Sequence, residues 1–262
     1  MKRCSKAPAV AEPQLLDTYL KQLRLPTFLH NYRKLAEDAG HANLGYDRFL
    51  LKLVEQEIAQ RELNQQTRRI RAARFPMLKE LADFDFSAVP KLNKAQVLDL
   101  ARGAYIEKAE PILLVGNPGL GKSHVATGLA LAACRQGHKV RFYNAAGLVN
   151  EMLELQEKNQ LSRFMTQALK QHVIVLDELG FIPFSTLGAQ LMFQFCSTVY
   201  ERVALIVTTN LQFADWVQIF QNERLTAALL DRLTDRATIL EFLGESYRLR
   251  KTLKQKARKE VA

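Results

Sequence analysis

The eight residues Gly116-Asn117-Pro118-Gly119-Leu120-Gly121-Lys122-Ser123 constrain this chain more than any other stretch. They fit G-x-x-x-x-G-K-[ST] and lie between an apolar run, 112 to 115, and a helix-forming segment that runs toward Arg135. Glycines at these positions let the backbone wrap its N–H groups around phosphate oxygens. The following helix presents its positive N-terminal dipole, and Lys122 adds a full charge where β and γ phosphates would sit. Ser123 is the expected Mg²⁺ ligand, and His124 carries the phosphate-binding segment into the helix. A chance match is expected in roughly a few chains per thousand of this composition. The alternative is a tight turn of purely structural use.

Hydrolysis of a bound nucleoside triphosphate needs a second carboxylate for Mg²⁺ and a group to orient water, best placed at the carboxyl end of a neighbouring buried strand. The run 173 to 176 followed by Asp177-Glu178 supplies both: Asp177 toward Mg²⁺, Glu178 beside the attacking water. Taken alone, such a pair often just begins a loop. The next apolar run ends in Thr209-Asn210, and the Asn210 amide is placed to position water or sense the γ-phosphate; its other reading is the cap of a following helix.

Around these motifs the chain changes character. Residues 15 to 73 contain two glycines and one proline and repeat apolar residues at helical intervals, as in Phe49, Leu50, Leu53, Val54, Ile58 and Leu63. Residues 83 to 90 read as a linker, 92 to 109 as one more helix, and the domain boundary is placed near residue 80. Beyond it, short apolar runs at 112–115, 140–143, 173–176, 203–208 and 238–242 alternate with helical segments, the pattern of an α/β fold with a parallel sheet. The expected division is a helical domain 1–80, a nucleotide-binding domain 81–244 and a basic tail 245–262, helical over 247–259.

Charge follows the same division. The net +10 comes from residues 1–110 (+5) and 245–262 (+5), while 111–244 is neutral, which points to a polyanion bound by the flanks or to solvated helix faces. No apolar run approaches the roughly 18–20 residues of a membrane span, and the basic N-terminus lacks the apolar stretch of a secretory signal, so a cytoplasmic location and no membrane partner are expected. Cys4, Cys134 and Cys196 have neither metal-ligand spacing nor the even count of a disulfide framework; Cys4 is expected to be exposed and the others buried.

The ordered set GNPGLGKS, VIVLDELG, VTTN, LLDRL and GESYRLR, with TRRIRAARFP and LADFDF upstream, resembles the AAA+ initiator clade of ATPases across the whole chain, and within it the IstB-like helpers of insertion-sequence transposition. The resemblance implies ATP and Mg as cofactors, and a sheet with an extra strand between the two phosphate-binding strands. It implies that Arg232 reaches the ATP of a neighbouring subunit, with Arg224 as the nearby competitor, and that Arg248 contacts the nucleotide as a second sensor. A surface salt bridge is the other reading for either arginine. It further implies a DNA-facing helical insertion within 145–170, with Lys158, Arg163 and Lys170 as its cations, and Phe84 and Phe86 near the adenine or in the core.

The function so implied is an ATP-dependent, homo-oligomeric helper that assembles on duplex DNA, delivers it to the transposase of the same element and resets by hydrolysis. A DnaC-like helicase loader favouring single strands shares the same motifs. A non-hydrolysing DNA architectural module is opposed by Glu178 and Arg232, and a small-molecule kinase by the lack of a recognisable acceptor lid.

Overall fold

The structure, a computed structural model, describes residues 12–244 and 246. Arg248, Cys4 and the segment 247–259 lie outside the described residues. The chain divides into two compact units between Thr67 and Arg68.

The first unit is helical: α1 (Glu12–Gln22), α2 (Pro26–His41) and most of α3 (Tyr46–Ala73). Pro26 opens α2 at a position where a missing N–H is harmless. Polar ties supplement a small core of Leu20, Ala39 and Leu53. Tyr32 donates to Asp17 at 2.8 Å, and the buried Glu57 accepts from the Thr27 amide at 3.0 Å and from Arg61 Nε at 2.7 Å.

The unit boundary precedes the expected one near residue 80 because α3 does not end where its first environment ends. Ile70 and Ala73, in its last turns, pack with the core of the second unit. The segment 92–109 also departs from expectation. It forms two short helices, α4 (Lys94–Leu100) and α5 (Ala104–Glu107), with Gly103 at φ 87° turning the chain between them.

The second unit is built on five strands, β1 (Ile112–Gly116), β2 (Val140–Asn144), β3 (Val173–Leu179), β4 (Ala204–Thr209) and β5 (Thr238–Phe242), all paired in parallel in the order β2-β3-β4-β1-β5. Side chains alternate between its faces with period two. Leu113, Val115, Ile174, Leu176, Leu205 and Val207 face one core with α7 (Ala145–Glu157), α8 (Leu161–Ala168), α9 (Thr186–Val199), α10 (Val217–Phe220) and α11 (Glu223–Thr234). Ile112, Leu114, Val173, Val175 and Ile206 face the other, under α6 (Lys122–Arg135), α4 and α5. Because both faces are covered, β1, β3 and β4 read as continuous apolar runs rather than alternating ones. In space β4 separates β1 from β3. Both phosphate-directed motifs therefore flank one strand, whose end carries Thr208 and Thr209. No described helix is long and apolar enough to cross a membrane.

Candidate functional site

At the carboxyl ends of β1, β3 and β4 lies a cavity of about 500 Å³. Its floor is the loop from Pro118 to Ser123 and the first turn of α6. Two glycines make this loop possible. Gly116 has φ 146°, and a Cβ there would lie 2.1 Å from the Phe242 carbonyl oxygen; Gly121 has φ 91°, and a Cβ there would meet the Phe84 ring at 2.6 Å. Gly119 and Leu120 line the cavity, while Gly116 and Asn117 stand behind it and present carbonyls to Lys122.

Those carbonyls hold the lysine. Lys122 Nζ donates to Gly116 O at 2.6 Å and to Asn117 O at 2.9 Å. Burial pushes its pKa down to about 8, against the opposing pull of Asp177 and Glu178. That both carboxylates act on this ammonium places the three groups in one electrostatic cluster.

Asp177 is buried near the end of β3 and accepts from the Thr208 hydroxyl at 2.6 Å. Glu178 departs from the strand: its φ is 60°, the β3–β4 register shifts between Leu176 and Leu179, and its amide donates to Thr208 Oγ1 at 2.9 Å. A non-glycine residue in this conformation costs of order 1–3 kcal/mol, which the bulge and the Thr208 bond hold in place. The strained turn exposes the Glu178 carboxylate at the cavity, where Asn144 Nδ2 donates to it at 3.0 Å. Asn144 pairs in register with Asp177 and also caps α7 through Gly147 N.

Thr208 and Asn144 are therefore site residues that sequence reasoning missed. The only local signal was a polar residue at the end of an apolar strand, and nothing local says that both ends converge on Glu178. Asn210 lines the cavity just after β4. It is not used as a cap, since the next helical turn, Phe213–Trp216, has Gln212 at its N-cap.

The opposite wall comes from residues 79–88. Phe84 lines the cavity and meets His124 edge to face at 5.3 Å; Phe86 stands behind Phe84 at 4.8 Å, under the Lys94 ammonium. His124 Nε2 lies 2.7 Å from the Glu80 carbonyl oxygen, and the Glu80 carboxylate pairs with Arg135 farther along α6. The cavity thus has the Lys122 ammonium and the start of α6 at one end, and the Phe84 ring among Lys79, Asp83, Asp85 and Ala88 at the other. That arrangement matches a ligand with phosphates at one end and a flat ring at the other.

The remaining sequence-derived residues lie elsewhere. Arg232, half-buried on α11, donates from Nη1 to Ala228 O at 2.8 Å, and its guanidinium lies 5.0 Å from the centre of the Phe193 ring. Arg224, on the same helix, is exposed. Lys158, Arg163 and Lys170 are exposed around α7 and α8, Lys158 within 3.8 Å of Glu154. Cys134 and Cys196 are buried.

Residues 18–255 match the family described as IstB-like ATP binding protein. The chain is 34% identical over 239 residues to the ATP-binding protein of insertion sequence IS21 from Pseudomonas aeruginosa, an alignment covering 91% of this chain and 90% of that one. It is 32% identical to the ATP-binding protein of insertion sequence IS5376 from Geobacillus stearothermophilus, covering 94% and 98%. Among solved structures, that of DnaI superimposes with a TM-score of 0.53 at 16% identity, covering 63% of this chain and 91% of that chain, a likeness of fold.

Proposed function

The chain belongs to the IstB-like ATP-binding protein family, and from that premise we propose that it is a Mg-dependent ATPase serving as the DNA-binding helper of an insertion sequence. In its ATP state it assembles into a homo-oligomer on duplex DNA, delivers that DNA to the transposase of the same element, and resets on hydrolysis. The observation that carries the catalytic half is the meeting of Lys122, Glu178 and Thr208 at one end of the cavity, with the Asp177 carboxylate held on Thr208 behind them. The insertion-sequence relatives, aligned over nine-tenths of the chain, support the other half.

The residues divide the chemistry among themselves. Amides of the loop and of the first turn of α6 receive the phosphate oxygens, and Lys122 exchanges its two carbonyl partners for β and γ oxygens. Ser123 and Asp177 are hard oxygen donors that would hold Mg²⁺, whose contribution is to neutralise charge on the β and γ phosphates. Thr208 keeps Asp177 in position and, through the Glu178 amide, holds the strained turn that points Glu178 outward. Glu178 then orients and deprotonates the attacking water, and Asn144 restrains that carboxylate until it turns to the water. Asn210 lies where a neutral amide can meet the γ-phosphate. Phe84 supplies a face for the adenine.

Arg232 is the arginine assigned to the neighbouring subunit's ATP. Its hold on Ala228 O and the Phe193 ring fixes the guanidinium while leaving other N–H groups to bind phosphate. Such a residue acting in trans is worth about 10³–10⁵ in turnover. Arg248 is the second arginine assigned to the nucleotide.

The deciding experiment measures binding to matched duplex and single-stranded DNA at physiological salt with ATP, ADP and no nucleotide. Cooperative, ATP-dependent preference for duplex is expected. Preference for single strands would transfer the chain to helicase loading, and nucleotide-independent binding without turnover would make it an architectural module. Mixing Arg232→Ala with Lys122→Ala protein should restore part of the turnover each lacks, since intact arginine and intact ATP site then meet across one interface.

A further inference from the structure

Residues 63 to 79 carry Arg68, Arg69, Arg71, Arg74 and Lys79 and not one acidic residue. The arginines differ in what they do. Arg69 is half-buried and spends its Nε–H on the Cys134 carbonyl at 2.9 Å. Arg68, Arg71 and Arg74 are exposed, and among the described residues their side chains have no hydrogen-bond or ion-pair partner. Four other arginines are neutralised locally: Arg33 by Asp17, Arg61 by Glu57, Arg102 by Asp99 and Arg135 by Glu80.

A fourth guanidinium joins them from the sheet. Arg141 lies on β2, the edge strand; its Nη1 donates to the Ala72 carbonyl at 3.1 Å, and it stacks 5.2 Å from the centre of the Tyr143 ring. Arg74 and Arg141 both act on the Tyr143 hydroxyl, opposed there by Glu151. Capping the end of α3 accounts for Arg141 but for none of the other three. Arg68 and Arg71 lie one turn apart on α3, about 4.5 Å apart in rise, and Arg74 follows just beyond the end of the helix at φ 58°. Three uncompensated, planar donor forks beside a fourth that is already immobilised suit successive phosphates, which guanidinium groups bind in bidentate fashion.

We propose that Arg68, Arg71, Arg74 and Arg141, with Tyr143, form a contact surface for the phosphodiester backbone of duplex DNA, separate from the Lys158, Arg163 and Lys170 cations of α7 and α8. The proposal rests on the DNA-binding reading above and assigns it a location. The contact is sequence-independent, because it engages phosphates and no base edges.

The test titrates a fluorescein-labelled mixed-sequence duplex with ATP-bound protein over a range of salt concentrations. It compares wild type with the triple variants R68Q/R71Q/R74Q and R68K/R71K/R74K. The glutamine variant should lower the slope of log affinity against log salt by about 3 and weaken binding at least tenfold at physiological salt. The lysine variant should keep most of the slope, and both should bind ATP as wild type does. Wild-type slope and affinity in the glutamine variant would overturn the proposal. So would equal losses in both variants with a lowered melting temperature, which would make the arginines structural. Loss of binding to phosphatidylserine vesicles with DNA binding intact would overturn it as well, in favour of a lipid surface. If wild-type protein binds no duplex at any salt concentration, the DNA-binding reading itself fails.

Discussion

On the two faces of the five-stranded sheet, apolar side chains are sealed: Phe195, Leu148, Met152 and Trp216 on one side, Leu129, Val125 and Phe242 on the other, are all essentially inaccessible. In the helices before residue 68 the balance is reversed. Leu15, Leu16, Tyr19, Leu23, Leu50, Leu51, Ile58 and Leu63 are exposed, Tyr46 to 92%, while among the described residues only Leu20, Ala39, Leu53 and Glu57 are buried. Scattered exposed apolar residues are normal, but a unit that exposes more large apolar side chains than it buries draws little stability from its own core. The sheet unit, by contrast, holds its candidate site residues with internal partners: Lys122 on loop carbonyls, Asp177 and the Glu178 amide on Thr208, Arg232 on Phe193. One region holds its polar side chains in fixed geometry; the other leaves much of its apolar surface exposed.

Four measurements would break or sharpen this contrast. The largest effect belongs to the preorganised end. Glu178→Gln should lower turnover by about 10²–10⁴-fold, the worth of a positioned base, while ATP binding persists; single-turnover kinetics beside equilibrium binding would separate the two, and wild-type turnover would remove Glu178 from its role. Next comes the core. Phe195→Ala should destabilise the protein by about 3–5 kcal/mol in denaturant titrations, and a loss below about 1 kcal/mol would mean the sheet face is less closely packed than its burial indicates.

The third effect is one of pH. Lys122 in the free protein is held down to about 8 by burial, so its ammonium is present below that pH and lost above it. ATP affinity should be level below pH 8 and then fall by up to about tenfold per unit. The free protein should do the opposite, gaining stability between about 8 and 10.5, where the unfolded chain binds the extra proton. Calorimetric ATP titrations across this range check the first sign and melting curves the second; affinity that stays flat to pH 10 would show that the lysine remains charged. The smallest effect lies in the helical unit. Ile58→Ser, at a half-exposed site, should change stability by less than about 0.5 kcal/mol. The same variant should weaken self-association in sedimentation if the exposed face contacts another copy. A large loss of stability would show that this face is covered within the chain.

How much could be read in advance follows the range of the interactions involved. The strands were legible to within a residue or three at either end, β1, β3 and β4 because strands buried on both faces read as apolar runs. The phosphate loop was legible because its geometry demands glycines at fixed offsets from one lysine. Other features were not. The segment 92–109 looked like one helix, since a single Gly103 in a helical pattern does not announce a turn. The roles of Thr208 and Asn144 depend on which strands lie side by side and in what register, and strand order is not written in any one strand.

By itself, then, the sequence determined what its local chemistry compels: a glycine loop wrapped for phosphate, a buried strand ending in two carboxylates, and helices before a sheet. Only the tertiary structure decided that β4 stands between those motifs, that Thr208 holds the Asp177 carboxylate and the Glu178 backbone amide, and that Glu178 is turned outward from a bulge. It likewise decided that Arg232 rests on Phe193 while Arg68, Arg71 and Arg74 have no local counter-charge among the described residues. The reason is physical. Backbone conformation and periodicity depend on neighbours along the chain, whereas partnership between side chains depends on sheet register and packing, which join residues tens to more than a hundred positions apart.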